Sequence, residues 1–325
     1  MEFARKIIEF QDIGDDARRQ YIDARATFEA LEAAQLQAAS VRGGMYWKTT
    51  HGTDYLVRTS AGNAQKSLGP RSAETEAIYT GFTQRKAQAE GRVKDLTETL
   101  TRHQRVNRAL FVGRVPTIVI DILAMLHRSG IAEHFTVVGT HALYAYEAAA
   151  GVRVESAAVA TRDVDLLWDT RKRFKLATQL KRLDSSVLAL LRKVDKSFAL
   201  VEGQLYTAVN SKGFEVDILR REAQEQDPHP VQLTDAEEDF WVVQARNAGQ
   251  LVSAPRFSAM VVGTTGHMAR MNTVHPLAFA AFKRWLAQRP DRESLKTRRD
   301  TLQADTVTQL VHDYLPQLRP TPPLE

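Results

Sequence analysis

Two short apolar runs that carry acidic residues constrain this chain more than any other feature. Asp163 and Asp165 open the first run, and Asp217 lies inside the second, at residues 214–219. Residues two apart in a β-strand point to the same face, so Asp163 and Asp165 share a face, about 7 Å apart along the strand. Carboxylates on an apolar strand need a counter-charge, and a divalent cation, Mg²⁺ or Mn²⁺, takes oxygen ligands. The pattern predicts a metal site that Asp217 completes from a neighbouring strand.

The composition excludes several classes of protein. The 325 residues, 43% hydrophobic and 26% charged, are typical of a soluble globular chain with two or three domains. No apolar run approaches the roughly 20 residues that span a bilayer, and the N-terminus lacks a signal-peptide core, so we expect a cytoplasmic protein without a membrane partner. The absence of cysteine excludes disulfides, zinc–thiolate sites and cysteine nucleophiles. The net charge of +5 is compatible with a polyanionic partner.

The first part of the chain has the pattern of a helical extension that contains a β-hairpin. Recurring apolar and small residues predict a helix over residues 11–40, and a long polar helix follows over residues 72–108, with Ser72 as its N-cap. Between them, aromatic and β-branched residues flank a glycine turn at residues 51–52, which is a hairpin signal. We therefore predict a first domain at residues 1–110.

Strands and helices alternate in the middle of the chain. An apolar strand at residues 135–138 leads through Gly139 and Thr140 into a helix, and the two acidic runs follow as further strands. This alternation predicts an α/β or α+β sheet domain over residues 111–230. A third part, residues 231–325, is predicted to contribute strands and two closing helices.

The order of these motifs is similar to that of a known superfamily. Gly139-Thr140 at a helix start is followed by Asp-Val-Asp at residues 163–165 and by Val-Asp-Ile at residues 216–218. This order resembles the nucleotidyltransferase superfamily related to DNA polymerase β. Thr140 stands where those proteins usually have serine, and residues 151–160 look like an insertion before the acidic motif. The resemblance implies an α+β fold with a nucleotidyltransferase-type mixed β-sheet.

The C-terminal region carries a second resemblance, which extends the similarity over residues 110–315. It is similar to the helical region of a bacterial nucleotidyltransferase-like group that includes abortive-infection and toxin proteins. The residues that carry this similarity are Pro276, Lys283, Arg292, Lys296, Arg299 and Asp300. The resemblance implies that the C-terminal helices close the fold and complete a nucleotide site.

The resemblance implies a Mg²⁺-dependent transfer of a nucleoside monophosphate from a nucleoside triphosphate (NTP) to a hydroxyl, with release of pyrophosphate. Asp163, Asp165 and Asp217 would be the catalytic metal ligands, and Asp217 would also help to deprotonate the attacking hydroxyl. Backbone N–H groups at a helix N-terminus and cationic side chains would hold the phosphates. The nucleotide-binding candidates are Gly139, Thr140, Arg162, Lys283, Arg284, Arg299 and Asp300.

The acceptor of the transferred group has three candidate classes, which are RNA (including a tRNA end), a protein side chain and a small molecule. The first domain is predicted to position the acceptor or a partner, because its long polar helices and basic hairpin differ in composition from the acidic core. Four basic residues in or beside its hairpin are the candidate contacts: Lys48, Arg58, Lys66 and Arg71. The alternative is that its helices only pair with each other or form a homodimer.

Less specific interpretations of the same residues stay open. Asp163 and Asp165 could form a solvated strand edge, Asp217 could pair with Arg220 or Arg221, and Lys283 could be a surface lysine. The hairpin aromatics could pack against the protein rather than stack on bases. For the whole chain, the alternative is a catalytically silent nucleotidyltransferase-like scaffold that binds nucleic acid or a partner protein. Three aligned carboxylates favour the enzyme, since a scaffold has no need of them.

Overall fold

The chain forms two compact units in a computed structural model that describes residues 8–224, 227–234, 236 and 238–319. The first, which we call the N-terminal unit, runs from Arg19 to Leu110. The second, the sheet unit, combines the described residues up to Arg18 with those from Phe111 onward. Both acidic runs belong to the sheet unit.

The helices and strands have the following bounds. The helices are α1 (Asp15–Ser40), α2 (Ala73–Ala109), α3 (Thr117–Arg128), α4 (Ala142–Ala150), α5 (Ser156–Val159), α6 (Arg173–Leu183), α7 (Val187–Val194), α8 (Ala248–Ser253), α9 (Pro276–Ala287) and α10 (Ser294–Tyr314). The strands are β1 (Gln11–Asp12), β2 (Gly44–Thr50), β3 (Thr53–Thr59), β4 (Gln65–Pro70), β5 (Phe135–Val138), β6 (Val152–Arg153), β7 (Asp163–Trp168), β8 (Ala199–Val201), β9 (Gln204–Val209), β10 (Glu215–Arg221), β11 (Val243–Ala245), β12 (Arg256–Val262) and β13 (Met268–Val274).

The N-terminal unit contains a three-stranded antiparallel sheet in the order β2-β3-β4. The predicted hairpin is confirmed: β2 pairs with β3 around His51 and Gly52, whose φ angles of 50° and 79° give the turn its left-handed backbone. The predicted polar helix is also confirmed as α2. It begins with a capping box, in which the Ser72 hydroxyl accepts from the Thr75 N–H and the Thr75 hydroxyl accepts from the Ser72 N–H.

The start of the first helix differs from the prediction. Helix α1 begins at Asp15 rather than at residue 11, because residues 11–12 form β1, which pairs with β6. The Asp12 carboxylate accepts from the Gly14 N–H at 2.7 Å and turns the chain before the helix. The predicted insertion at residues 151–160 is thus partly ordered by strand pairing within the sheet unit.

The sheet unit is built on an eight-stranded mixed sheet. Its order is β12-β13-β5-β7-β10-β9-β8, with β11 beside β10. Strand β7 is antiparallel to β5 and parallel to β10. Strands β11, β12 and β13 lie in this same sheet, so residues on both sides of position 230 build one layer. The predicted α+β class with a mixed sheet is confirmed.

The core of the sheet unit lies under the acidic strands. Val164, Leu166 and Trp168 are fully buried on the face of β7 that is opposite to Asp163 and Asp165. Helices α9 and α10 pack against each other, and α10 also contacts α4. Within the described part of the chain, no helix is both long and apolar enough to cross a membrane.

Candidate active site

The register of two parallel strands brings three carboxylates together. Asp165 of β7 lies directly opposite Asp217 of β10, and Asp163 lies two residues earlier on the same face. One carboxylate oxygen from each of the three residues lies within 4.8 Å of the others. Strand β7 is an interior strand between β5 and β10, so a solvated sheet edge does not describe the site.

The strand next to β7 is followed by a glycine that the site requires. Gly139 follows β5, in which Val138 pairs with Asp165, and it has a φ of 66°. A Cβ at this position would overlap Oδ2 of Asp165, so only glycine allows the carboxylate to lie against the backbone. Thr140 follows, and α4 begins at Ala142, which agrees with the predicted helix start.

Crowding of negative charge perturbs the acidity of two of the carboxyl groups. Burial, followed by the neighbouring charges of Asp163 and Asp217, raises the pKa of Asp165 to about 7, and Lys283 and Arg299 only partly oppose this. Burial also raises the pKa of Asp217, although a hydrogen bond from the Thr207 hydroxyl at 2.5 Å opposes the shift. The nearby cations therefore do not offset the burial and mutual repulsion of these carboxyl groups, and the carboxylate oxygens fit a hard divalent cation.

Neighbouring hydroxyl groups orient two of the three carboxylates. The Thr207 hydroxyl donates to Asp217, and the Thr161 hydroxyl donates to Oδ1 of Asp163. Such support fixes the direction of the remaining lone pairs of a ligating carboxylate. The predicted alternative partners of Asp217 are engaged elsewhere: Arg220 bonds to His229 and Arg221 pairs with Asp227.

The carboxylates line a cleft of about 500 Å³ in the sheet unit. Apolar side chains of β10, β11 and α9 also line the cleft. Those on α9 are half-buried and are spaced so that they lie on one face of the helix. These apolar residues are Leu219, Ala245, Phe282, Trp285 and Leu286. A volume in this range, with a few convergent polar groups on apolar walls, is typical of a small-molecule site.

Two predicted nucleotide-binding cations line the cleft. Lys283 is 5% exposed, so it is not a surface lysine, and burial lowers its pKa although Asp300 opposes this. Arg299 also lines the cleft, and its Nε is buried without a hydrogen-bond partner among the described residues. An unpaired guanidinium nitrogen beside carboxylates is a ready donor to an anionic oxygen.

The structure does not place two of the nucleotide-binding candidates, Arg162 and Arg284, at the cleft. Arg162 precedes Asp163, is exposed and does not line the cleft, because successive residues of an extended chain point to opposite faces. Arg284 follows Lys283 on α9 and is rotated from it by about 100° around the helix. Its guanidinium instead bonds to Asp305 and to the Thr308 hydroxyl on α10, at 3.4 and 2.7 Å.

Asp300 does not line the cleft, and instead it holds two cationic side chains that do. It is fully buried and accepts from Nζ of Lys283 at 2.8 Å. It also accepts from Nε and Nη2 of Arg292, at 2.9 and 2.7 Å. A buried carboxylate between two cations fixes both at the wall of the cleft.

Sequence reasoning missed several residues that line the cleft. The missed side chains include Arg246, Phe282, Trp285 and Arg289, whereas Arg292 and Lys296 are among the residues that carry the second resemblance. The spacing i, i+3 from Phe282 along α9 could have identified Trp285 as a member of the same helix face, whereas Arg289 lies beyond the end of that helix. Nothing in the sequence indicates that Arg246, which follows β11, would join them.

The four basic residues of the N-terminal unit do not form one free surface. Arg58 lies 4.4 Å over the Phe82 ring and donates to the carbonyl groups of three nearby residues. Arg71 lies 5.1 Å over Trp47 and makes two ion pairs, which confirms that this aromatic packs against the protein. Lys48 and Lys66 are exposed. The structure thus leaves two of the four side chains available to a partner.

The comparisons with known proteins agree with this geometry. A family model described as nucleotidyltransferase matches residues 117–320. No curated protein and no solved structure matches the chain. The match confirms the predicted resemblance at the level of a nucleotidyltransferase family. The narrower relations to DNA polymerase β and to abortive-infection and toxin proteins stay predictions.

Proposed function

Because the chain belongs to the nucleotidyltransferase family, we propose that it moves a nucleoside monophosphate from an NTP to a hydroxyl acceptor and releases pyrophosphate. One observation carries this proposal: the carboxylates of Asp163, Asp165 and Asp217 converge on one face of two paired strands. A purely structural role for three buried and mutually repelling acids is unfavourable, since burial, followed by the charges of Asp163 and Asp217, raises the pKa of Asp165 to about 7.

The cleft has groups suited to each part of a nucleotide. Thr140, Lys283 and Arg299 would contact the triphosphate, because they offer hydrogen-bond donors and positive charge beside the acids. The half-buried side chains of Phe282 and Trp285 would contact the base, since aromatic faces stack on every nucleobase. Asp300 would contribute indirectly, by holding Lys283 against the cleft.

The proposed chemistry is an in-line displacement at the α-phosphorus. The acceptor oxygen forms a bond to phosphorus, the bond to the pyrophosphate oxygen breaks, and Asp217 accepts the hydroxyl proton. A divalent cation held by the three aspartates would supply positive charge to the phosphoryl oxygens and to the leaving pyrophosphate. The raised pKa of Asp217 suits a proton acceptor near neutral pH.

For the acceptor, we propose RNA, including a tRNA end, as the first candidate. The net charge of +5 and the exposed Lys48 and Lys66 support a polyanionic partner. Protein and small-molecule hydroxyls are the other candidates. A homodimer through the N-terminal helices is a further proposal, supported by the exposed Leu36 and Ile78 on α1 and α2.

The test is a transfer assay in which each of the four NTPs carries its label on the α-phosphate. The protein is incubated with total RNA and Mg²⁺, and we expect label to enter RNA while pyrophosphate is released. Asp217→Asn should lower the rate by more than about 10²-fold, since it removes a base and a metal ligand. Asp184→Asn, on the exposed turn after α6, is the matched control and should retain activity.

Two outcomes would count against the proposal. Activity of Asp217→Asn within a few-fold of wild type would remove Asp217 from the site. Absence of transfer to RNA, protein and small molecules with all four NTPs, together with retained RNA binding, would favour the silent scaffold.

A further inference from the structure

A buried glutamine connects the last helix to the threonine of the cleft. Gln303 of α10 is fully buried. Its Nε2 donates to Oγ1 of Thr140 at 3.1 Å and to the carbonyl oxygen of Ala158 at 2.7 Å. Its Oε1 has no partner among the described residues. One side-chain amide thus ties α10, the turn after β5 and the insertion before Asp163 to one another.

The chemistry of these partners fixes the direction of each hydrogen bond. The carbonyl oxygen of Ala158 can only accept, so the group of Gln303 that faces it must be the NH₂ group. That same NH₂ group faces Thr140, whose Oγ1 must therefore act as the acceptor. A threonine hydroxyl has one hydrogen, and with Gln303 as donor this hydrogen must be donated in another direction.

The cleft is the direction that remains. Thr140 lines the cleft beside Gly139 and Asp165 while Gln303 occupies its buried side. We propose that Gln303 is a positioning residue, which forces the Thr140 hydroxyl to donate to an oxygen of the bound triphosphate. This inference rests on the proposed function and adds to it a residue that does not touch the substrate.

A double-mutant cycle tests the inference. The variants are Gln303→Met, which removes the donor at similar volume, Thr140→Val, which removes the hydroxyl, and the double variant. NTP affinity is measured by calorimetry on the full chain with Mg²⁺ and no acceptor. We expect Gln303→Met to weaken affinity about 3- to 10-fold and Thr140→Val about 10-fold, since each disturbs one hydrogen bond to a charged group.

The decisive result is the coupling between the two changes. If Gln303 acts through the Thr140 hydroxyl, the double variant binds NTP as Thr140→Val does, within about twofold. Thr140→Ser, which keeps the hydroxyl, should bind like wild type. If Gln303 only holds the three elements together, Gln303→Met should weaken NTP binding by the same factor whether position 140 is threonine or valine. This result would overturn the inference.

Two further observations separate the possible failures. If the wild-type protein binds no NTP, the proposed function fails. If the wild type binds NTP but the Gln303→Met and Thr140→Val changes weaken affinity independently of each other, only the inference is refuted. Should Gln303→Met not fold, the wild-type structure with NTP and Ca²⁺ decides the question. There, Thr140 Oγ1 should lie within about 3 Å of a phosphate oxygen while it keeps Gln303 as donor. A Thr140 hydroxyl directed away from the phosphates would contradict the inference.

Discussion

Replacing Asp165 by Asn is expected to stabilise the metal-free protein and to abolish its response to Mg²⁺. Asp165 lies on β7, within 4.8 Å of carboxylate oxygens of Asp163 and Asp217. Burial, followed by these two charges, raises its pKa from 3.8 to about 7. The folded chain therefore disfavours the ionised carboxylate when no cation is bound. The carboxyl group that we propose as a metal ligand thus lowers the stability of the metal-free protein.

The magnitude follows from the pKa shift. The pKa of Asp165 rises from 3.8 to about 7, which is roughly three units. Each unit corresponds to about 1.36 kcal/mol, so ionisation of Asp165 lowers the free energy of unfolding by about 4 kcal/mol. Because the folded pKa is the higher one, the native state binds more protons between these values. Stability of the metal-free wild type should thus fall as pH rises from about 4 to about 7, and the full cost should apply above pH 7. Asparagine cannot ionise, so the variant should lack this slope.

The assay is urea denaturation of both proteins in EDTA at pH 4.5 and pH 8. We expect Asp165→Asn to exceed wild type in free energy of unfolding by about 2 to 4 kcal/mol at pH 8 and by only about 1 kcal/mol at pH 4.5. Adding Mg²⁺ at pH 8 should stabilise only the wild type. Equal stability at pH 8 in EDTA, or a less stable variant, would refute the electrostatic reasoning.

A nearby aspartate provides a control of opposite sign. Burial alone would raise the pKa of Asp169, but hydrogen bonds and the charge of Arg171 lower it below its ordinary value. A lowered pKa contributes stability at neutral pH that is lost as pH falls through the folded pKa. Asp169→Asn should therefore destabilise the protein at pH 8, and a gain would show that substitution by Asn stabilises this region for another reason.

The remaining predictions concern side chains with other roles. Asp300→Asn should lower the free energy of unfolding by about 3 kcal/mol, because it leaves two cations without their buried partner. Arg284→Gln breaks an exposed ion pair and should lower it by less than about 1 kcal/mol. Similar losses for the two variants in urea denaturation would contradict these assignments. Gly139→Ala should lower the free energy of unfolding by about 1 to 2 kcal/mol, because the backbone at this position is left-handed. The added methyl group should also displace the Asp165 carboxylate, so the rise in Tm with Mg²⁺ should disappear. Changing Lys48 and Lys66 together to Gln should weaken RNA binding and leave NTP affinity unchanged. The slope of log Kd against the logarithm of the salt concentration should fall by up to about 2, and an unchanged slope would exclude both lysines as RNA contacts.

The elements that follow from local patterns were predicted well from the sequence. The hairpin around Gly52 and the long helix after Ser72 depend on turn and cap residues a few positions apart. The shared face of Asp163 and Asp165 depends only on the two-residue period of a strand. The start of α1 was predicted less well, because the pairing of residues 11–12 with β6 is a long-range contact that apolar periodicity does not report.

By itself, the sequence determined which strands carry carboxylates, which of these share a face and which glycine precedes them. Only the tertiary structure decided that Asp217 lies opposite Asp165, since register depends on the pairing of strands far apart in the chain. It also decided which charged residues reach the cleft. Residues adjacent on a helix differ in direction by about 100°, so the docking of α9 against α10 places Lys283 in the cleft and Arg284 outside it.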